Sequence, residues 1–226
     1  IAPAVFIPLA EETGQIEKLG AWALEQACRA AAGWPHELSV SVNLSALQFR
    51  GQGDLVRTVT RALDHAGLPA RRLVLEVTES LLMNNTDHTV RTLEALAAMG
   101  CPIAMDDFGT GYSSLAYLWR FPFTKLKIDR EFTQGLQSDA KVALIVRSIV
   151  TLAHSMGMRV NAEGIETATQ LGELQRLGCD ELQGFLLGYP VPPEQLAHEA
   201  ARQREAAPAP VRPPRLEDIP TLPAPL

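Results

Sequence analysis

Apolar and polar positions along the chain follow two alternating rhythms. Short β-like runs appear over 38–43, 73–77, 102–106, 125–129, 158–162 and 181–185. Between them, apolar residues recur at helical spacing over 9–32, 55–66, 86–99, 113–119, 140–156 and 167–177. A last helix is predicted after Pro192-Pro193, since proline suits a helix start. Glycines 67, 100, 157 and 178 stand where helices should stop. Six short strands separated by helices predict an α/β fold on a parallel sheet. An open doubly wound sheet and a closed barrel both satisfy that pattern. Neither a dinucleotide glycine fingerprint nor a P-loop is present.

The rhythm ends near residue 205. Seven of the sixteen prolines fall between Pro208 and Pro225, where neither a helix interior nor a central strand tolerates them. Residues 1–205 are therefore read as one folded unit and 206–226 as a Pro-rich disordered tail.

Composition narrows the function. The 226 residues are 46% hydrophobic and 20% charged, as in an ordinary globular protein. A net charge of -6 argues against general nucleic-acid binding, which needs clustered positive charge. Cys28, Cys101 and Cys179 are scattered and odd in number, without zinc or disulfide spacing. They read as buried thiols of a reducing, cytoplasmic compartment. The longest apolar stretch, 142–150, is interrupted by Arg147, so no spanning segment is expected, although a membrane anchor upstream of Ile1 stays compatible.

The polar residues at the strand ends carry the chemistry. Asn43 closes the first run, Glu76 lies near the end of the second with Glu79 beyond it, and Asp106-Asp107 close the third. Lys127 lies in the fourth, Glu163 follows the fifth with Glu166 just after, and Gln183 lies in the sixth. Ends of parallel strands share one face, the face that carries active sites. Carboxylates converging there repel by about 4 kcal/mol per close pair at an effective dielectric near 20. A raised pKa, a basic partner or a cation must offset this. Lys127 is expected to pair with only one or two of them. Oxygen donors from Asp, Glu and Asn suit Mg²⁺ or Mn²⁺. Taken singly, Asp107 and Thr167 could equally be helix caps, and Glu79 and Glu166 first-turn acids. Gly109 and Gly111 after Asp106-Asp107 would let a loop approach a phosphate.

Seven ordered motifs over roughly residues 1–200 resemble the EAL domain, a bacterial cyclic di-GMP phosphodiesterase module. They are Phe6-Ile-Pro-Leu-Ala-Glu-Glu-Thr-Gly14, Val42-Asn-Leu-Ser45 with Gln48-Phe49, and Leu75-Glu-Val-Thr-Glu79. Asp106-Asp-Phe-Gly-Thr-Gly-Tyr-Ser-Ser114, Lys125-Leu-Lys-Ile-Asp129, Ala162-Glu-Gly-Ile-Glu166 and Gln183-Gly-Phe185 complete the series. The resemblance implies a modified TIM (β/α)8 barrel with one antiparallel strand, hydrolysing cyclic di-GMP to linear pGpG with two Mg²⁺ or Mn²⁺ ions. It implies Asn43, Glu76, Asp106 and Asp107 as metal ligands and Lys127 as the residue holding the attacking water. Glu163 is implied as general base or water-positioning carboxylate, and Glu166 and Gln183 as supporting residues. Glu79 would brace the loop from Asp107 to Ser114. Ca²⁺, with its looser geometry, is expected to bind without supporting turnover.

The family's Glu-Ala-Leu strand, with a ligand Glu and a phosphate-contacting Arg, precedes everything seen in this chain. The expectation is therefore a barrel lacking about two N-terminal strands, with sensor or cyclase domains upstream in the same protein. Homodimerisation, common in the family, is a further expectation. Two other functions compete: a cyclic di-GMP receptor without turnover, and another barrel enzyme of enolase-like chemistry.

Overall fold

The computed structural model describes residues 1–35, 38–50, 54–79, 81, 87–109 and 115–196. The 206–226 tail lies outside the described residues. So does the continuation of the last expected helix, which starts at Pro193.

Six strands form one sheet: β1 Val40–Leu44, β2 Leu73–Thr78, β3 Ile103–Phe108, β4 Lys125–Ile128, β5 Arg159–Ala162 and β6 Glu181–Leu182. Their spatial order is β1-β2-β3-β4-β5-β6 and all five pairings are parallel. A doubly wound sheet reverses its strand order at a switch point. Here the order never reverses, which settles the alternative left open by the pattern: the sheet is a six-stranded part of a (β/α) barrel. The antiparallel strand implied by the resemblance is not among the described residues.

Helices connect the strands: α3 Leu55–Ala66, α4 Asp87–Ala98, α5 Leu115–Arg120, α6 Arg130–Gly135, α7 Ala140–Ser155 and α8 Ala168–Leu177. Left-handed Gly67 and Gly178 close α3 and α8 as the sequence predicts. Strands β2 and β3 are almost wholly buried, as expected for a parallel sheet covered on both faces. Leu75, Leu93, Ile103, Leu126, Val160 and Leu174 lie in the resulting core.

Several boundaries differ from expectation. The single helix predicted over 9–32 is two, α1 Pro3–Glu12 and α2 Ile16–Ala32. Thr13 ends α1 by donating its hydroxyl to Leu9 O at 2.7 Å, and Gly14 then turns left-handed at φ 69°. The run 125–129 loses its last residue to a helix that the periodicity does not reveal: Asp129 caps α6, its carboxylate accepting from Glu131 N at 2.7 Å. β6 holds two residues instead of five, because the chain turns at Gln183 to bond the neighbouring loop.

Candidate active site

Parallel register places the polar residues. Asn43 on β1 stands opposite Glu76 on β2, and Asp106 on β3 opposite Thr78. Pairing between β3 and β4 then shifts between Met105 and Phe108. At that irregularity Asp107 adopts φ 55°, the one positive φ of a non-glycine residue among those described. Such backbone is disfavoured, though aspartate tolerates it better than most. It sends the two adjacent carboxylates in different directions. Asp106 Oδ1 accepts from Asp107 N at 3.0 Å and stabilises the kink.

Lys127 is the hub. Its Nζ lies 2.7 Å from Glu76 Oε2, 3.0 Å from Asp106 Oδ1 and 2.7 Å from Glu163 Oε1. One or two carboxylate partners are expected from the sequence; three are found. The reason is geometric. Lys127 rises from the inner face between the strands that carry the three acids, and an ammonium has three hydrogens to donate. Lys127 is only 4% exposed, Glu76 6% and Asp106 8%.

Charge balance in this buried cluster is uneven, with one cation against three anions. Burial alone would push the Lys127 ammonium down, but Glu76, Glu163 and Asp106 outweigh it and hold the lysine firmly protonated. Burial pushes Glu163 up; Lys127 draws it partly back, while Asp106 and Glu76 add repulsion, and the net direction is upward. Asp107 is also raised, by burial first and then by Asp106 and Asp129.

The other expected residues lie around this hub. Asn43 is exposed on the edge strand beside Glu76. Glu79 is buried one residue beyond β2. Most of the loop it was expected to brace, residues 110–114, lies outside the described residues. Glu166 and Gln183 are exposed and are not partners of Lys127. Glu166 leads into α8, where Thr167 and Gln170 form a capping box. Thr167 is thus the helix cap that the sequence allowed, whereas Asp107 lies inside β3.

Gln183 belongs to a loop stitched to the segment that follows Glu163. Ile165 N donates to Gln183 O, and Leu186 N donates to Ile165 O. Gly184 makes this approach possible: a Cβ there would meet Ile165 N and O at 2.2 Å. Asn161 is a site neighbour that the strand-end pattern does not mark. It stands directly opposite Lys127 on the neighbouring strand and is 7% exposed. A polar residue between the apolar Val160 and Ala162 is the available signal, but only the register reveals its neighbour.

The donor set fits hard divalent cations. Glu76 and Asp106 are buried oxygen donors, with Asn43 beside one and Asp107 beside the other, and no His or Cys intrudes. Among the described residues, no group of three or more His, Cys, Asp or Glu is gathered as a metal cage. The acids close instead on the ammonium of Lys127. No helix among the described residues is long and apolar enough to cross a membrane.

A partial barrel whose acids meet at the carboxyl ends of its strands defines a class of barrel-rim sites. Comparison with known proteins gives the family. The EAL domain model matches residues 1–190, and the chain belongs to the EAL domain family. It is similar to the bifunctional diguanylate cyclase/cyclic di-GMP phosphodiesterase MucR of Pseudomonas aeruginosa, at 49% identity over 205 residues. That match covers 89% of this chain but 30% of MucR, so the chain spans under a third of the relative's length. The solved c-di-GMP complex of the PaMucR phosphodiesterase superposes with a TM-score of 0.82 at 49% identity, covering 87% of this chain and 81% of that one. A manganese/c-di-GMP complex of Klebsiella pneumoniae BlrP1 superposes with a TM-score of 0.72 at 31% identity, covering 77% of this chain and 44% of that one.

Proposed function

We propose that the protein hydrolyses cyclic di-GMP to linear pGpG in a metal-dependent reaction. The observation that carries this reading is the buried contact of Lys127 with Glu76, Asp106 and Glu163 at 2.7–3.0 Å. Family membership and the c-di-GMP complex of the similar MucR domain support the substrate. The calcium and manganese complexes of BlrP1 support a divalent cation.

In this reading Asn43, Glu76, Asp106 and Asp107 hold two Mg²⁺ or Mn²⁺ ions. When bound, such ions activate water and neutralise charge developing on the phosphate. Lys127 holds the attacking water by donating to its oxygen, and its secure protonation keeps it a donor. Glu163 takes the water's proton. Its raised pKa brings it closer to the working pH, which favours a carboxylate that must both accept and release a proton. The water oxygen forms the new bond to phosphorus, the bond from phosphorus to the 3′ oxygen breaks, and that oxygen takes a proton from solvent. Glu166 and Gln183 support the rim, and Glu79 braces the loop after Asp107.

The experiment uses full-length protein, with cyclic di-GMP and product separated by chromatography. With Mg²⁺ or Mn²⁺ the expected product is pGpG. With Ca²⁺ the expected result is bound, intact cyclic di-GMP. Binding without pGpG under all three cations would replace this reading with that of a receptor.

A further inference from the structure

The amide of Asn161 is a buried polar group beside the site that the chemistry above leaves unused. Its Oδ1 is fully buried and accepts no hydrogen bond. In the register, Asn161 stands between Lys127 on β4 and Glu181 on β6. Opposed residues of parallel neighbours project to the same face, with strands about 4.8 Å apart. Asn161 therefore shares the inner face with both charged residues. Of the two, only Lys127 has hydrogens to give Oδ1, and it does not bond it. Glu181 is held by Lys125 and by Arg159 Nη1 at 3.3 Å. Lys127 spends its three N–H donors on Glu76, Asp106 and Glu163.

That distribution changes if Glu76 Oε2 and Asp106 Oδ1 turn from the lysine to cations. Lys127 would then keep Glu163 and hold the water with a second N–H, leaving its third N–H without a protein partner. Unsatisfied buried donors on a charged group are costly. One strand away, Asn161 Oδ1 is a buried acceptor with the opposite deficit.

We infer that Asn161 is a positioning residue whose Oδ1 takes over a hydrogen of Lys127 when cations claim Glu76 and Asp106. The exchange keeps the ammonium beside Glu163, where it can hold water, and relieves both deficits with one bond. This inference rests on the metal-dependent reading above and concerns how the chain yields its carboxylates.

The test is calorimetric titration of full-length protein with Ca²⁺ and no nucleotide, together with melting of the cation-free protein. Asn161→Leu keeps the volume but cannot accept; Asn161→Thr keeps an acceptor on a strand-compatible side chain. The expected result is Ca²⁺ affinity about tenfold weaker in N161L and less than threefold weaker in N161T, since the lysine in N161L has no replacement partner. The melting temperature of cation-free N161L should equal or exceed wild type, because a desolvated acceptor has been removed. Ca²⁺ affinity in N161L within twofold of wild type would overturn the inference and leave the metal-dependent reading intact. A lowered cation-free melting temperature in N161L would also overturn it, showing that the amide already has a resting role. Absence of Ca²⁺ binding by the wild type would remove the metal-dependent reading itself, and this inference with it.

Discussion

Lys127 Nζ stands 2.7 Å from Glu76 Oε2, although the two residues are 51 positions apart and β3 runs between their strands. The contact shows the lysine bridging the inner face of the sheet rather than pairing with a neighbour. Its removal would leave Glu76, Asp106 and Glu163 facing one another without a cation. Breaking a buried ion pair by removing one partner costs about 3–5 kcal/mol. Lys127→Met should therefore lower the unfolding free energy obtained from urea titration by that order without added metal, and saturating Mg²⁺ should recover part of the loss. It should also abolish measurable turnover. Wild-type stability in the metal-free variant would mean that the lysine does not neutralise the cluster.

Arg72 anchors the entry to the sheet through backbone carbonyls. It is 3% exposed, and its guanidinium donates to Leu38 O and Ala31 O at 2.7 Å and to Pro35 O at 3.1 Å. Ala31 lies in the last turn of α2, where carbonyls lack helical partners and the dipole favours a cation. Arg72→Ala should destabilise by about 3 kcal/mol or more, since each hydrogen bond to a charged group contributes about 1.5–3 kcal/mol. Arg72→Lys should recover less than half, because an ammonium lacks the planar fork. Equal midpoints for R72A and wild type in urea would contradict this account of α2 docking.

The buried thiols give the pH dependence a definite sign. Burial pushes Cys28 up to about 11, and burial with the nearby Cys28 pushes Cys101 up to about 11. Unfolded thiols ionise near about 8.5. Both groups stay neutral in the folded chain over a range in which the unfolded chain loses protons. Their stabilising effect is complete below about 8.5 and is lost as pH rises toward 11. The expected fall is on the order of 2 kcal/mol per thiol by pH 10. The urea midpoint should drop between pH 8 and pH 10, less steeply in Cys28→Ala, and a thiol reagent at pH 8 should label Cys28 only after urea is added. Rapid labelling of Cys28 in the native protein would contradict its burial.

Gly184 controls the spacing of two rim loops. Because the obstructing atoms are Ile165 N and O, no side chain can move aside for a methyl group. Gly184→Ala should force the Gln183 loop away from the segment after Glu163, breaking the Ile165 N to Gln183 O bond. The expected result is slower turnover with the fold retained, read from kcat against a circular-dichroism melt. Unchanged kcat would separate the Gln183 loop from catalysis.

Much of the sheet was legible because parallel strands buried on both faces read as apolar runs closed by polar residues, as at Leu73–Thr78 and Ile103–Phe108. Helix ends at Gly67 and Gly178 were legible because a left-handed cap favours glycine. The break at Thr13-Gly14 was not, since apolar residues continue on both sides and the side-chain bond to Leu9 O that ends α1 is a local competition. The site residues were legible as types at strand ends sharing one face, but the meeting of three acids on one lysine was not. Glu76, Asp106 and Glu163 meet at Lys127 only because strand order and register bring them there. Asn161 beside Lys127 was illegible for the same reason.

Glu163 carries the central claim, because its carboxylate is bonded to Lys127 at 2.7 Å and the proposed reaction needs it to accept a proton. The direct measurement is pGpG formation by full-length Glu163→Gln against wild type in Mg²⁺, with cyclic di-GMP binding measured in Ca²⁺. Glutamine preserves shape and a hydrogen bond but not the base. The account predicts turnover reduced about 10²–10⁴-fold with binding within a few-fold of wild type. Turnover in E163Q equal to wild type would contradict it.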